Sequence, residues 1–437
     1  MWVLRSTDRA EPDVVKERRP WPWLLVLGLV GTLGGCTCEA PQDRAGSNVP
    51  ARCAYDTPLF SPVQTDILFV VDDSNSMSEE QEGVARELPT FVQILQTGAG
   101  VQQELRVGLI NTSVYSAFFG NSLLLTQYPQ GGKLRPFPAA DGGVGGGEIW
   151  LTDPDPEIVP RLAAAIRALG INGSFQETPF EAARIALTGT GFWTRLPDGG
   201  WTTEADAGNP NEGFLRPGAR LLVVAVSDED DCSEIHHNPP TVVFTNAEGQ
   251  DFCTLHENQL TPVGDYATAF TSLEDGKGQG RHREVLWGAI APVARSNKAA
   301  QGVQGTLGDG GPVIQNVDCP TSGGPGYRHR AMALAFDSTL TNLDSVCLPD
   351  YHEALVSIAQ VASIPQTLTL TDNVPDARLL AVDITRSDGS VQRCTLANQG
   401  ITYIEATSDE PAAVRFQEGC LRRFSDTRVE VKLLCAG

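Results

Sequence analysis

Basic residues are scarce in this chain of 437 residues, which has 32 lysines and arginines against 54 aspartates and glutamates. The formal net charge of -22 argues against a nucleic-acid partner, because binding to a phosphate backbone needs clustered basic side chains. Aromatic residues make up only 7%, but 41% of the chain is hydrophobic. That share is enough for a sizeable core and is typical of a globular protein.

Several catalytic motifs are also missing. The sequence has no Gly-x-Ser-x-Gly nucleophile elbow and no phosphate-binding glycine loop. His256-Glu257 resembles the start of a zinc-protease helix, but Leu260 stands where the second histidine is needed. The acidic run Asp228–Asp231 lacks the glycine and the distal glutamate of an EF-hand loop. We therefore expect no enzymatic activity, and we interpret Glu229–Asp231 as a solvated loop.

The N-terminal part contains one apolar run, Trp21–Leu33, which is shorter than the about 20 residues needed to span a bilayer. A charged segment, Lys16–Arg19, precedes it, and small residues follow, so residues 1–35 are predicted to be an export signal. Leu33-Gly34-Gly35-Cys36 resembles the lipobox of bacterial lipoproteins, in which the cysteine carries the lipid. The resemblance implies lipidation of Cys36 and attachment to the cell envelope. In such lipoproteins an aspartate directly after the cysteine is associated with retention in the inner membrane. This position is Thr37 here, which favours the outer membrane.

Ten cysteines support export, because disulfides persist in oxidising compartments. Lipidation of Cys36 leaves nine, so at least one stays unpaired or pairs between chains. Cys232 with Cys253, and Cys319 with Cys347, would each close a loop of a few tens of residues and contribute about 3 kcal/mol. The connectivity of the others stays open: Cys38, Cys53, Cys394, Cys420 and Cys435.

Buried strands and helices alternate over residues 61–365, behind a polar, flexible tether over residues 36–60. Continuous apolar runs predict strands, and helical spacing predicts helices between them, with a kink at Pro89. The strand runs are Ile67–Val71, Val107–Ile110, Leu221–Val226 and Val285–Ile290; the helical segments are Val84–Leu95, Ile158–Leu169, Phe180–Leu187 and Leu355–Val361. The alternation predicts a doubly wound α/β domain with a mostly parallel sheet.

The pattern changes to a period of two over residues 366–437. Arg428–Leu433 alternates polar and apolar residues, and Ser387-Asp388-Gly389 is typical of a hairpin turn. A small β module containing three cysteines is therefore predicted after the α/β domain.

Four stretches are too long to be simple connectors: 112–150, 189–219, 232–264 and 292–346. The first, third and fourth follow strands, so they should surround the carboxyl edge of the sheet and determine the specificity for a partner. The stretch 189–219 follows a helix and should lie at the opposite edge.

The most informative motif is Asp72-Asp73-Ser74-Asn75-Ser76, which comes directly after the first buried strand. One carboxylate and two hydroxyls with this spacing can converge on a hard cation such as Mg²⁺, Mn²⁺ or Ca²⁺. The position is also favourable, because open α/β sheets bind ligands outside the carboxyl ends of their strands.

Asp-x-Ser-x-Ser after a first strand resembles the metal-ion-dependent adhesion site of von Willebrand factor A and integrin inserted domains. Thr178 matches the threonine of that family, and Asp228 matches its strand-end aspartate. The resemblance implies a Rossmann-like fold and a divalent cation, Mg²⁺ before Mn²⁺ or Ca²⁺. It also implies that Ser74 and Ser76 bind the metal directly, Thr178 directly or through water, and Asp72 and Asp228 mainly through water.

Helix capping is the alternative interpretation of two of these residues. Ser76 with Glu79, and Thr178 with Glu181, both match the capping box, and a proline follows Thr178. In that case the hydroxyls would satisfy helix N–H groups.

The sequence therefore predicts metal-dependent recognition at the bacterial envelope, of a protein or other ligand that presents an acidic group. One alternative is a disulfide-stabilised scaffold with a purely structural metal. Another is a Mg²⁺-dependent phosphatase of the haloacid-dehalogenase type, but Ser74 occupies the position of the aspartate that acts as general acid there.

Overall fold

The computed structural model describes residues 52–53, 63–97, 103–114, 130–139, 147–174, 176–192, 194–195, 201–202, 208–234, 251–255, 257–306, 312–319, 321–371, 374, 376–386, 388–407, 411–417, 419–423 and 426–434. The predicted signal, the predicted lipidation site Cys36, and Cys435 lie outside these residues. Within them, no helix is long and apolar enough to cross a membrane.

A six-stranded sheet is the centre of the α/β part, with the strand order β11-β8-β7-β2-β3-β4. All neighbours are parallel except β4, which runs antiparallel to β3. The strands are β2 (Val63–Val71), β3 (Gln103–Asn111), β4 (Leu151–Thr152), β7 (Arg220–Val226), β8 (Val285–Ala291) and β11 (Leu343–Ser345). Each of the four predicted apolar runs lies in one of these strands, so the mostly parallel sheet is confirmed.

Helices cover both faces of this sheet. They are α1 (Ser78–Thr97), α2 (Ile158–Ala168), α3 (Pro179–Thr188), α4 (Asp251–Leu255), α5 (Val263–Thr271), α6 (Tyr327–Phe336) and α7 (His352–Ala362). Along β2, Phe69 packs in the core shared with α1, α2 and α7, whereas Leu68 packs in the core shared with α3, α5 and α6. Alternate side chains of one strand thus enter two cores, which explains why the strand is apolar throughout.

The predicted helices have the expected positions. Helix α1 continues from Ser78 to Thr97 and contains Pro89, the position of the predicted kink. Helix α2 stops just before Gly170, and α3 stops at Gly189. Both glycines have a positive φ, 74° and 70°, a conformation that favours glycine after a helix.

The long stretches contain elements of their own. Residues 292–346 include the hairpin of β9 (Gly302–Thr306) and β10 (Pro312–Asn316) as well as α6 and β11, so they are a folded insertion. Residues 189–219 include the short pair β5 (Thr194–Arg195) and β6 (Trp201–Thr202). Arg216 in this stretch donates from its backbone N–H and its Nε to Asp66, at 2.7 and 2.6 Å. Because Asp66 is near the start of β2, Arg216 lies at the amino edge of the sheet, the edge predicted for this stretch.

The C-terminal part consists of two antiparallel sheets with a separate hydrophobic core. The first has the order β1-β17-β13-β14, and the second has the order β12-β16-β15. The strands are β1 (Arg52–Cys53), β12 (Thr367–Thr369), β13 (Leu380–Thr385), β14 (Val391–Thr395), β15 (Ile401–Ile404), β16 (Ala413–Phe416) and β17 (Arg428–Leu434). The predicted turn joins β13 to β14, with Gly389 at φ +80°. β1 lies within residues 36–60, which were predicted to be a flexible tether, and its pairing with β17 was not predicted.

Three disulfides are present among the described residues. Both predicted pairs, Cys232–Cys253 and Cys319–Cys347, are formed. The third joins Cys394 in β14 to Cys420 and crosses the core of the C-terminal sheets. The exported environment that the cysteine count favours is consistent with these pairs.

Candidate metal centre

The carboxyl ends of β2 and β7 bring Asp72 next to the segment that carries Asp228. The backbone N–H of Asp72 donates to the carbonyl of Val226, at 2.9 Å. The buried Asp72 carboxylate accepts from the backbone N–H of Ser74, at 2.8 Å, and from the hydroxyl of Ser227, at 2.6 Å. Two neighbouring strand ends are thus joined through one carboxylate.

The two serines of the motif lie side by side. The hydroxyl oxygens of Ser74 and Ser76 are 3.3 Å apart. Ser74 is buried, whereas Ser76 is exposed to solvent, and interaction with the Ser76 hydroxyl favours the charged form of the Asp228 carboxyl by lowering its pKa. Oδ1 of Asp228 is buried and has no hydrogen-bond partner within the described part of the chain. A buried carboxylate oxygen without a donor is costly unless a cation neutralises it.

Thr178 is connected to the same cluster through Thr112, the residue that follows β3. It is fully buried, and its hydroxyl donates to the carbonyl of Thr112, at 2.7 Å. The Thr112 hydroxyl in turn lies 3.4 Å from Oδ1 of Asp72. The contacts therefore connect all five predicted residues at one edge of the sheet: Asp72, Ser74, Ser76, Thr178 and Asp228.

The capping interpretation of Thr178 is wrong. Its side chain makes no capping hydrogen bond to α3. Residues from another loop do so instead: the N–H of Phe180 donates to Asp231, at 3.1 Å, and the N–H of Glu181 donates to the hydroxyl of Ser233, at 3.0 Å. Because these residues satisfy the start of the helix, the Thr178 hydroxyl is not needed as a cap.

Burial controls the charges at this edge. Burial, and after it the nearby Asp228 carboxylate, together raise the pKa of Asp72 to about 7. Burial also raises the pKa of Asp228 and of Glu177, whose carboxyl lies against that of Glu229. The groups that favour the charged forms of Asp72 and Asp228 are hydroxyl and backbone donors. The cluster is therefore short of positive charge, which a divalent cation would supply.

Hydroxyl oxygens are essential to any metal centre here. In the part of the chain that the structure describes, no three histidine, cysteine, aspartate or glutamate side chains are arranged to hold an ion. Two carboxylates and three hydroxyls form a donor set of neutral and anionic oxygens, which suits a hard cation and not a thiolate-binding metal. The residues present thus fit the predicted Mg²⁺, Mn²⁺ or Ca²⁺.

Asp73 was not predicted to have a role, yet it joins the loops that carry the cluster. Its carboxylate accepts from Asn111, at 2.8 Å, and from the hydroxyl of Ser113, at 2.7 Å. The backbone carbonyl of Asp73 accepts from the N–H of Gly173, at 2.6 Å. Asn111-Thr112-Ser113 follows β3 directly, so the strand-end rule that drew attention to Asp72 could have identified these residues as well.

The interpretation of Glu229–Asp231 as a solvated loop is wrong. All three are buried, and Asp231 is fully so. Asp230 accepts from the N–H groups of Arg328 and His329 at the start of α6, at 3.0 and 3.4 Å. The positive ends of two helices and the Arg328 guanidinium thus stabilise a run of carboxylates that looked suited only to water.

His329 should make the protein sensitive to acid. Burial lowers its pKa to about 4, and Asp231 beside it opposes this shift. Below pH 6.5 the unfolded chain gains a proton at this histidine, whereas the folded protein does not until about pH 4. His329 therefore destabilises the fold progressively as the pH falls through this window, by up to about 3 kcal/mol.

We expect the variant His329→Leu to gain stability relative to the wild type as the pH falls from 7 to 4. Urea unfolding of both proteins at pH 7, 5.5 and 4 measures the difference. A difference that stays constant with pH would contradict the assignment, and His352→Leu, which changes an exposed histidine, is the control.

Comparisons with known proteins show little similarity. No protein-family model matches the chain, and no curated protein does. Among solved structures, proximal thread matrix protein 1 from the mussel byssus is 12% identical over 70% of this chain and 49% of its own, with a TM-score of 0.25. The pilus adhesin SpaC from Lactobacillus rhamnosus GG is 10% identical over 86% and 39%, with a TM-score of 0.32.

Human COPII-coat protein Sec24c is 11% identical over 86% of this chain and 44% of its own, with a TM-score of 0.29. This chain spans less than half the length of each of these proteins. Structural similarity at this level does not support any inference about function.

Proposed function

We propose that this protein recognises a partner through a divalent cation bound at the carboxyl edge of its sheet, as von Willebrand factor A domains do. The observation that carries the proposal is Oδ1 of Asp228, which is buried and has no hydrogen-bond partner among the described residues. The Ser76 hydroxyl interacts with this carboxyl and lies 3.3 Å from the hydroxyl of Ser74. A cation at this point would satisfy the orphaned oxygen and relieve the repulsion between Asp228 and Asp72.

The exposure of Ser76 supports recognition in particular. Asp72, Ser74 and Thr178 are buried, so solvent reaches the cluster on the side of Ser76. If Asp72 and Asp228 act mainly through water, as the family resemblance implies, the direct protein ligands would be neutral hydroxyls. A divalent ion would then keep affinity for a further anionic oxygen. A carboxylate from a partner, arriving on the open side, would form a charge-assisted bond through the metal.

We propose that the protein acts at the bacterial cell envelope, attached through Cys36 to the outer membrane. The three disulfides among the described residues favour an exported protein. The lipid itself is a prediction from the lipobox resemblance, and mass spectrometry of the mature N-terminus would test it.

The metal is tested by Mn²⁺ binding, followed by electron paramagnetic resonance. Ser74→Ala removes one predicted ligand and should weaken binding at least tenfold. Ser363→Ala is the matched control, because Ser363 is equally buried but follows α7, which ends near the amino edge of the sheet. Equal affinity in the wild type and Ser74→Ala would contradict the site.

Recognition and a structural metal are separated by two measurements made with and without EDTA. Binding of an envelope extract or an acidic peptide library should need the metal, with little change in the melting temperature, if the metal serves recognition. A large fall in the melting temperature with unchanged binding would favour the scaffold instead.

A further inference from the structure

The loop from Asp228 to Ser233 holds the starts of two helices from distant parts of the chain. Asp231 and Ser233 accept from the first N–H groups of α3, and Asp230 accepts from the first N–H groups of α6. Helix α3 follows Thr178 directly, whereas α6 belongs to the insertion 292–346. One loop thus connects a predicted metal ligand to a predicted determinant of specificity.

Asp231 makes the central contacts of this loop. It is fully buried, and its Oδ1 accepts from the N–H of Phe180, at 3.1 Å. Its Oδ2 accepts from Nε of Arg328, at 2.9 Å, and from the N–H of Ser233, at 3.1 Å. The next residue, Cys232, donates its N–H to the carbonyl of Glu177, at 2.8 Å. Asp231 is therefore bonded to the helix after Thr178 and lies three residues from Asp228.

We propose that Asp231 is a positioning residue for the metal centre. It fixes the loop of Asp228 against the helix start that delivers Thr178, and through Arg328 it joins the insertion helix α6 to both. This inference rests on the proposed function, since it assumes that a cation binds between these two loops. It assigns a role to a residue that does not itself touch the metal.

The test compares two isosteric substitutions. Asp231→Asn keeps the size and one acceptor oxygen but loses the ion pair with Arg328. Asp66→Asn is the matched control, because Asp66 is also fully buried and paired with an arginine, Arg216. It lies six residues before Asp72 along β2, or about 20 Å from the metal centre.

Both variants should have a lower melting temperature, but only Asp231→Asn should weaken Mn²⁺ binding, by about tenfold or more. Equal Mn²⁺ affinity in Asp231→Asn and the wild type would overturn the inference and leave the proposed function standing. The same loss of affinity in both variants would also overturn it, because general loosening would then be the cause. A wild type that binds no Mn²⁺ would overturn the proposed function, and the inference with it.

A milder variant covers the case in which Asp231→Asn does not fold. Ser233→Ala removes one acceptor from the start of α3 and one hydroxyl donor to Oδ1 of Asp231, and it leaves the Asp231–Arg328 ion pair in place. It should weaken Mn²⁺ binding in the same direction, by severalfold. Unchanged affinity in this variant would overturn the inference.

Discussion

Asp228→Asn is expected to raise the melting temperature of the metal-free protein and to abolish its response to Mn²⁺. The metal-free gain arises because Oδ1 of Asp228 is buried without a hydrogen-bond partner in the described part of the chain and because this carboxylate repels Asp72. An uncompensated buried acceptor costs about 1 to 3 kcal/mol, and the amide keeps the shape of the side chain without its charge. A substitution in a predicted ligand should therefore stabilise the protein.

Bound metal should make the wild type more stable than Asp228→Asn, the reverse of the order expected without metal. A ligand that binds only the folded state adds about 2.7 kcal/mol at a concentration one hundred times its dissociation constant. The wild type should gain this stability from Mn²⁺, whereas Asp228→Asn should gain little because its metal-facing carboxylate is gone. Thermal unfolding in EDTA and in excess Mn²⁺ gives both results in one experiment.

A fall in the melting temperature of the metal-free protein on this substitution would contradict the electrostatic account of the site. If Asp228→Asn lowered the melting temperature in EDTA, the carboxylate would have a donor that satisfies it. Asp66→Asn is the reference for that outcome. The Asp66 carboxylate accepts hydrogen bonds from Arg216, so this variant should be less stable than the wild type both in EDTA and in Mn²⁺.

The strand-end aspartates were predictable because parallel strands place their carboxyl ends at one edge of the sheet. Asp72 and Asp228 follow β2 and β7, which are direct neighbours, so their proximity follows from the strand order. The disulfides Cys232–Cys253 and Cys319–Cys347 were predictable from loop length. What the sequence alone could not show is which residues cap α3.

The alternative interpretation that Thr178 caps α3 was wrong because a local sequence pattern cannot reveal a capping residue that comes from another segment of the chain. Thr178 and Glu181 match the capping box, but Asp231 and Ser233 arrive from the loop after β7 and bind the same N–H groups. For the same reason, Glu229–Asp231 looked like a solvated run. The partner of Asp230 and Asp231 at the start of α6, Arg328, is about 100 residues further along the chain.

Removal of the disulfide Cys232–Cys253 is expected to reduce both stability and metal binding. The double substitution to alanine releases a loop closed over 21 residues, which should cost about 3 kcal/mol of unfolding free energy. Cys232 also donates its N–H to the carbonyl of Glu177, at 2.8 Å, next to Thr178. A less restrained loop would hold Thr178 and Asp228 less firmly, so Mn²⁺ binding should weaken by about tenfold.

The disulfide Cys394–Cys420 provides the comparison that separates these two effects. It closes a similar span of 26 residues, so its removal should cost a similar free energy of unfolding. It lies in the core of the C-terminal sheets, which does not include the residues of the metal centre. Urea unfolding and Mn²⁺ titration of both double variants should show matched losses of stability and a loss of affinity in only one. If both variants lost affinity equally, the metal centre would depend on global stability and not on the loop that follows Asp228.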